Sequence, residues 1–412
     1  MKDSKAQTPK LVVFSSLYPS QVRPTAGVFI RERMSKVAEQ LPLVVVSPVP
    51  WFPLQGLIRL CKPEFRPQPA LFEQQHGIDV YYPRFFSIPG LLKSWDGWFM
   101  AMGSFWTLYR LRKQFQFNII DAHFAYPDGF AATLLGKWFA APVTITLRGT
   151  EVPQSKLPHI RKRLLQALNN ATQIFSVSES LKHHVVALGA DADKIQRIGN
   201  GVDTDKFYPV DKQIARQQLN LPGDAKVLIS VGGLVDRKGF HRVIDVLPAL
   251  VKQTPNLIYL IVGGPSPEGN ISERLQQQVS GLGLTQHVRF LGALPSDQLK
   301  TPLSVSDVFV LSTANEGWAN VFLEAMACGL PVITTDVGGN AEVVNDEALG
   351  TIVSFGDSQA LQTALSAALA KTWDKAKIIK YAEANAWQQR VDKLVVEFKS
   401  LLDKPSQNSP LT

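Results

Sequence analysis

The stretch Asn315-Glu-Gly-Trp-Ala-Asn-Val-Phe-Leu-Glu-Ala-Met-Ala-Cys-Gly-Leu-Pro-Val-Ile333 decides how this chain reads. Ahead of it an apolar β-branched run, Val308–Leu311, makes a strand that ends at Ser312. Gly317 permits close backbone approach, and a helical period runs from near Trp318 to Cys328, until Gly329 and Pro331 stop it. The start of such a helix presents unpaired N–H groups and the positive end of the macrodipole, a place for a phosphate or diphosphate. Two carboxylates bracket that start. Glu316 precedes the helix and Glu324 lies about two turns inside it, so they are not an i, i+4 pair sharing one task. A carboxylate on an otherwise apolar helix face costs free energy unless its lone pairs are engaged, and a vicinal diol supplies two donors. Glu324 then suits a ribose, and Glu316 the hydroxyls of a sugar. A surface acid complementing the dipole, with a solvated glutamate after it, has the same spacing. The strand–glycine–helix setting favours the ligand.

Outward from this stretch, short apolar strands alternate with helices. Lys10–Ser16 leads into a loop with Pro19, Pro24 and Gly27, then a helix from Val28 and a strand at Leu43–Ser47. Ile119–His123 with helix Asp128–Trp138, Val143–Leu147, and Gln173–Val177 with helix Glu179–Leu188 continue the series. A second series holds strands Lys226–Val231, Leu257–Val262, Val288–Leu291, Val308–Leu311, Val332–Thr335 and Thr351–Val353, with a helix at Phe240–Gln253. This alternation predicts an α/β protein with two Rossmann-like, doubly wound parallel sheets. The domains are 1–205 and 206–386, meeting near the Asn200-Gly201 turn. An amphipathic helix, 387–402, crosses back to the first domain. Ligands of open parallel sheets lie beyond the carboxyl ends of the strands, so two facing sheets form a cleft.

The octapeptide Gly232-Gly-Leu-Val-Asp-Arg-Lys-Gly239 follows a strand in the second series. Glycines there let the backbone approach a ligand, and Arg237 and Lys238 are placed to neutralise a diphosphate leaving group. In isolation it also reads as a plain turn with exposed basic residues. In the first half His123 ends a strand in Asp121-Ala-His-Phe-Ala-Tyr-Pro-Asp-Gly129, a position where a histidine is often structural.

Glu316 and Glu324 enclosing seven residues, followed by Ala-Met-Ala-Cys-Gly-Leu-Pro-Val, resemble the signature of the retaining family 4 glycosyltransferases with the GT-B fold, over nearly the whole chain. That resemblance implies that Glu316 contacts the donor sugar, that Glu324 holds the ribose, and that Gly317, Trp318, Ala319 and Asn320 at the helix start meet the diphosphate. Gly232, Gly233 and Lys238 match the family's diphosphate loop. The family often has an arginine where Gly233 stands, and Arg237 is the candidate replacement. By the same resemblance His123 touches the transferred sugar, and Gly27, Arg148 (in Arg148-Gly-Thr-Glu151) and Asn200 lie on the acceptor side. Pro24–Ile30 and Val49–Pro53 look like the branch that builds bacterial cell-surface polysaccharides such as teichuronic acid. The expected reaction is transfer from a nucleoside-diphosphate sugar, a UDP-sugar, to a saccharide or lipid-linked acceptor. The rival readings are a sugar-nucleotide epimerase of the same architecture and a catalytically silent glycan- or nucleotide-binding protein.

At 412 residues, with 45% hydrophobic residues, 28 Gly and 27 Pro, the chain is a packed globular protein of two domains with loose polar ends at 1–10 and 404–412. Its two cysteines, Cys61 and Cys328, have no metal or redox spacing, which implies a reducing compartment. No signal peptide or apolar run of membrane-spanning length is expected, so the protein is read as cytoplasmic. The excess positive charge lies in the first half, where 24 Lys and Arg face 15 Asp and Glu; residues 206–412 hold 19 against 20. This implies an anionic partner, such as the inner face of a membrane, or scattered solvated lysines. Aromatics beside cations over Leu91–Phe117, and Arg161-Lys-Arg163, suit either a membrane interface or an ordinary packed helix. No nucleic-acid module accompanies the charge. The absence of G-x-x-x-x-G-K-[ST] argues against an ATPase. Asp203-Thr-Asp205 and Asp191-Ala-Asp193 lie in connecting segments as turn and cap residues, so no metal is expected, and no cofactor.

Overall fold

In this computed structural model residues 7–24, 26–62, 65–266 and 268–403 are described. Of the loose ends expected at 1–10 and 404–412, residues 1–6 and 404–412 lie outside the described residues. The chain divides into two units, one up to Gly199 together with the segment from Arg390, the other Asn200–Gln389. The first crossing falls a few residues ahead of the 205/206 position read from the sequence, and the second falls inside the terminal helix.

In the first unit the strands are β1 (Leu11–Phe14), β2 (Leu43–Val46), β3 (Val49–Trp51), β4 (Phe72–Gln75), β5 (Ile78–Tyr81), β6 (Arg84–Phe86), β7 (Ile119–His123), β8 (Val143–Leu147), β9 (Gln173–Ser176) and β10 (Ile195–Arg197). Eight of them form one sheet in the order β10-β9-β8-β7-β1-β2-β5-β4, and β3 pairs with β6 in a separate ribbon. The sheet departs from the expected all-parallel arrangement at one edge, where β4 runs antiparallel to β5. The Phe72-Glu-Gln-Gln75 strand is polar and half exposed, as an edge strand tolerates. Buried on both faces, β1, β2, β7 and β8 read as the continuous apolar runs a covered parallel sheet requires. One face packs on helix Val28–Ala38 and on the terminal helix Trp387–Asp403, which places Val391, Leu394, Phe398 and Leu401 in that core. Phe398 meets the Phe175 ring edge-on at 5.8 Å.

The second unit holds β11 (Lys226–Val231), β12 (Leu257–Val262), β13 (Val288–Gly292), β14 (Val308–Leu311), β15 (Val332–Thr335) and β16 (Gly350–Val353) in the parallel order β13-β12-β11-β14-β15-β16. Tyr259, Ile261, Val308 and Val310 face the helices Phe240–Gln253, Ser272–Gly281 and Ser358–Ala370, while Ile258, Leu260 and Phe309 are buried on the other face. The sheet is therefore covered on both sides. The helix read from Trp318 begins at Asn320 and ends at Ala327. That from Asp128 begins at Phe130, after an irregular turn over Ala125–Gly129. Among the described residues no helix is long and apolar enough to cross a membrane.

Candidate active site

Adjacent parallel strands set their following loops side by side. β11 and β14 are neighbours, Leu228 opposite Val308 and Ile229 opposite Phe309, so the Gly232–Gly239 loop lies beside the loop that carries Glu316. Gly239 closes the first loop at φ +77, and a Cβ there would sit 1.8 Å from the Ser312 carbonyl oxygen. Only glycine meets both demands. Arg242, one turn later, donates to that same carbonyl through Nε at 2.8 Å and Nη2 at 2.6 Å. The Ala314 N–H donates to the Arg237 carbonyl at 2.8 Å. These contacts hold Arg237 and Lys238 over the second loop.

Three donors converge on one oxygen of Glu316. Lys238 Nζ lies 2.6 Å from Oε1, Arg237 Nη1 3.1 Å and Thr313 Oγ1 3.1 Å. The carboxylate is buried, with 8% of the residue exposed, so charge-assisted bonds of this kind compensate its desolvation. Arg237 has a second carboxylate partner: Nε donates to Glu268 Oε2 at 2.8 Å and Nη2 to Oε1 at 2.7 Å, a two-point clamp. Hydrogen bonding to Glu268, against burial and with the charge of Glu316, raises the Arg237 pKa; the same bond holds Glu268 below the usual carboxylate range. Glu268 sits in a short turn closed by Ser266 and Gly269, each donating to the other's carbonyl at 3.0 Å. At Gly233 a Cβ would approach the Ser266 side chain to 3.0 Å, so this turn occupies the space a side chain at 233 would need. A third loop, after β15, donates the Gly339 N–H to the Glu316 carbonyl at 3.2 Å.

The helix starting at Asn320 has no side-chain cap. Starting there rather than at Trp318, it places Glu324 about one turn inside, half-buried between the buried Phe322, Leu323, Ala325 and Met326. Trp318 is buried, and its indole N–H has no acceptor among the described residues. Asn200, expected on the acceptor side, belongs to the second unit and donates through Nδ2 to Asn320 Oδ1 at 2.8 Å.

In the first unit the same strand-end logic groups His123, at the end of β7, with Arg148, just past β8. Arg148 Nη2 lies 2.9 Å from His123 Nδ1. A guanidinium only donates, so Nδ1 is the acceptor and the ring proton sits on Nε2, 3.4 Å from Asp121 Oδ2. The ring is fully buried. Burial first, and then the Arg148 charge, bring its pKa down to about 4 against the pull of Asp121, so His123 is neutral near pH 7. Nδ1 is engaged by Arg148, whereas the buried Nε2, though near Asp121, makes no aligned hydrogen bond among the described residues; Arg148 is only partly buried and stacks on Phe29 at 5.2 Å. Gly27 caps helix Val28–Ala38 at φ +66.

Sequence reasoning missed several partners. Arg33 is fully buried beside Asp121, its charge acting on Asp121, His123 and Arg148. It was findable as an arginine inside the apolar stripe Ile30, Met34, Val37. Glu151 accepts the N–H groups of Ala125, Arg148 and Gly149, which ties the two loops together. Asp128 is buried and accepts from the Ser16 N–H and, at 3.1 Å, from its hydroxyl; burial pushes its pKa up to about 7. Thr313 and Glu268 carry no sequence signal, since only the fold brings them to Glu316 and Arg237. Asp191 and Asp203 act as cap and turn residues, accepting the N–H groups of Asp193 and Asp205. Among the described residues no three His, Cys, Asp or Glu side chains cluster as metal ligands. A groove of about 1910 Å³ in the first unit, lined by Lys10, Asn118 and Thr172, opens at the amino ends of its strands and so does not mark this site.

Two parallel-sheet units with loops of this kind are the GT-B architecture. Sucrose-phosphate synthase from Thermosynechococcus elongatus superposes with a TM-score of 0.76 at 20% identity, over 96% of this chain and all of that one. Anabaena HepE in complex with UDP gives 0.69 at 20% identity, over 96% and 98%. Residues 211–385 match the sequence model of the glycosyl transferases group 1, and residues 59–206 that of glycosyltransferase family 4. The chain belongs to the family 4 glycosyltransferases with the GT-B fold. It is 27% identical, over 80% of its length and 82% of the relative's, to a Bacillus subtilis protein assigned as the teichuronic acid biosynthesis glycosyltransferase TuaC. It is 33% identical, over 60% of its length and 65% of the relative's, to a GDP-mannose-dependent α-(1-6)-phosphatidylinositol monomannoside mannosyltransferase of Mycolicibacterium smegmatis.

Proposed function

We propose that this protein moves a hexose from a UDP-sugar to a saccharide or lipid-linked acceptor in bacterial cell-surface polysaccharide or glycolipid synthesis, with retention of anomeric configuration and without metal or cofactor. The observation that carries the donor half is the convergence of Lys238, Arg237 and Thr313 on Glu316 Oε1 beside the uncapped helix start at Asn320. Without donor, the carboxylate and the two cations neutralise one another. A diphosphate arriving at the helix start takes Lys238 and Arg237, and Glu316, released from them, accepts the sugar hydroxyls. Glu324 holds the ribose, and the Trp318 indole N–H is a further donor toward the ligand. Transfer breaks the bond between the anomeric carbon and the diphosphate oxygen and forms one from the acceptor oxygen on the same face. The acceptor proton passes to the departing diphosphate, whose charge Lys238, Arg237 and the helix start stabilise. Arg148, Gly27 and the neighbouring loops of the first unit take the acceptor.

The polysaccharide reading follows the TuaC relative, and the lipid-linked reading the phosphatidylinositol mannoside relative. The basic first half supports location at the inner face of the membrane. The test is incubation with a panel of UDP- and GDP-sugars and lipid-linked or free saccharide acceptors, followed by mass spectrometry and proton NMR of the product. An α-linked product from an α-linked donor is expected. A changed sugar nucleotide with no acceptor product would establish an epimerase instead, and no turnover with any donor a silent binding protein.

A further inference from the structure

The ribbon of β3 and β6 extends from the carboxyl ends of β2 and β5, through Ser47-Pro48 and Tyr82-Pro83. That is the end of the sheet at which His123 and Arg148 lie. The ribbon carries two apolar segments that the fold does not cover. In the first, Trp51 is 41% exposed, Leu54 75%, Leu57 60% and Leu60 80%, around the short helix Gln55–Cys61. In the second, Leu91, Leu92 and Trp95 are all about half exposed or more. The two are bound to one another: the Ser87 N–H donates to the Trp51 carbonyl at 2.9 Å, and Arg66 donates to the Ser87 carbonyl at 2.5 Å. Scattered exposed leucines need no explanation, but a set this dense in a water-facing position does.

The charges beside these residues are mainly positive. Arg59 and Lys62 flank the leucines, and Lys93 stands between Leu92 and Trp95, paired with Asp96. Over residues 49–66 and 82–96 five Lys and Arg stand against two acids, Glu64 and Asp96. A two-fold self-interface would set these cations against their own copies, so a second chain is a poor occupant. Leucines and tryptophans that enter the headgroup layer, with Arg and Lys at its rim, match a bilayer surface bearing anionic lipids.

We propose that the β3–β6 ribbon, through Leu54, Leu57, Leu60, Leu91, Leu92 and Trp95, docks on an anionic bilayer and so presents the strand-end loops of the first unit to a lipid-linked acceptor. The inference rests on the lipid-linked form of the function proposed above, and it locates the membrane contact at the acceptor end of the unit. It differs from another exposed hydrophobic set, Met102, Trp106 and Tyr109, which lies farther along the helix Asp96–Gln114.

Cys61 is exposed among these residues and Cys328 is buried, so an environment-sensitive thiol fluorophore attached to the full-length protein reports from Cys61. With phosphatidylcholine vesicles containing about a third phosphatidylglycerol, its emission shifts to the blue and the protein co-sediments. Leu57→Glu/Leu60→Glu reduces the bound fraction at least tenfold, while turnover of a free saccharide acceptor remains at the parent level; that turnover separates failure of this inference from failure of the enzyme assignment. Arg59→Gln/Lys62→Glu, whose folding is checked by thermal melting because Arg59 is partly buried, weakens binding to the anionic vesicles about tenfold, and added salt weakens the parent's binding likewise. Trp106→Ala binds as the parent. Undiminished binding by both double variants, loss of binding only in Trp106→Ala, or a leucine-dependent dimer in place of vesicle binding would each overturn the proposal.

Discussion

Replacing Glu268 by glutamine tests whether Arg237 serves as the second cation of the donor site. The change keeps the shape of the side chain and removes its charge, dismantling a clamp in which Arg237 donates at 2.8 and 2.7 Å. Both side chains are substantially exposed, 31% for Arg237 and 53% for Glu268, so the cost in folding stability is that of a surface pair, about 0.2–1 kcal/mol. The functional cost has a different origin. Freed from Glu268, the Arg237 guanidinium regains rotamers it must give up to meet a diphosphate, a loss of preorganisation of about 1 kcal/mol. That corresponds to about a fivefold rise in donor KM with kcat changed less than twofold. Arg237→Ala removes the cation itself and lowers kcat/KM by about 100-fold, or about 2.7 kcal/mol. The clamp also predicts a pH signature. Glu268 has a depressed folded pKa, so its contribution is present above the ordinary glutamate pKa and fades as pH falls through the lower folded value; Glu268→Gln removes that acid-side dependence. Steady-state kinetics of the two variants with a saturating acceptor decide the matter. A Glu268→Gln enzyme indistinguishable from the parent, beside a crippled Arg237→Ala, would refute the clamp. An active Arg237→Ala would refute Arg237 as the second cation.

Lys238→Ala removes the shortest contact to Glu316, at 2.6 Å, and is expected to lower kcat about 10²–10³-fold while Tm moves little, since Arg237 and Thr313 remain on the carboxylate; rapid-quench kinetics with thermal melts measure both. Asp128→Asn changes the pH dependence of stability. The Asp128 folded pKa is raised to about 7, so its stabilising share is complete below the unfolded carboxylate value and is lost as pH rises toward 7; the variant, lacking this loss, gains on the parent between about pH 4 and 7 in urea titrations. Phe398→Ala empties a fully buried site under the terminal helix and lowers unfolding free energy by about 3–5 kcal/mol, read by denaturant titration of the first unit.

The two-sheet architecture was legible because strands buried on both faces leave continuous apolar runs such as Leu-Val-Val-Phe14 and Leu-Ile-Tyr-Leu-Ile-Val262. The polar edge strand Phe72–Gln75 and the ribbon strands Val49–Trp51 and Arg84–Phe86 were not legible, because pairing at an edge leaves no hydrophobic period. At the site, the glycines and charged residues of Gly232–Gly239 and Glu316–Glu324 stood out because turn geometry and buried charge restrict residue type. Thr313 and Glu268 did not, since a threonine after a strand and a glutamate ahead of a glycine are ordinary until the fold sets them beside Glu316 and Arg237. For His123 the strand-end position was visible, but its bond to Arg148 was not, because that partner lies 25 residues away in sequence. The buried Arg33 shows how an inward charge in an apolar stripe signals a charged interior, here near Asp121.

The proposed donor site is held by the second unit alone, at Glu316, Lys238 and the helix start. Calorimetric titration of UDP into the full-length parent, Lys238→Ala and Arg148→Ala tests it most directly. The prediction is binding by the parent, at least tenfold weaker binding by Lys238→Ala, and parental affinity in Arg148→Ala. Equal affinity in the parent and Lys238→Ala, or loss in Arg148→Ala alone, would contradict it.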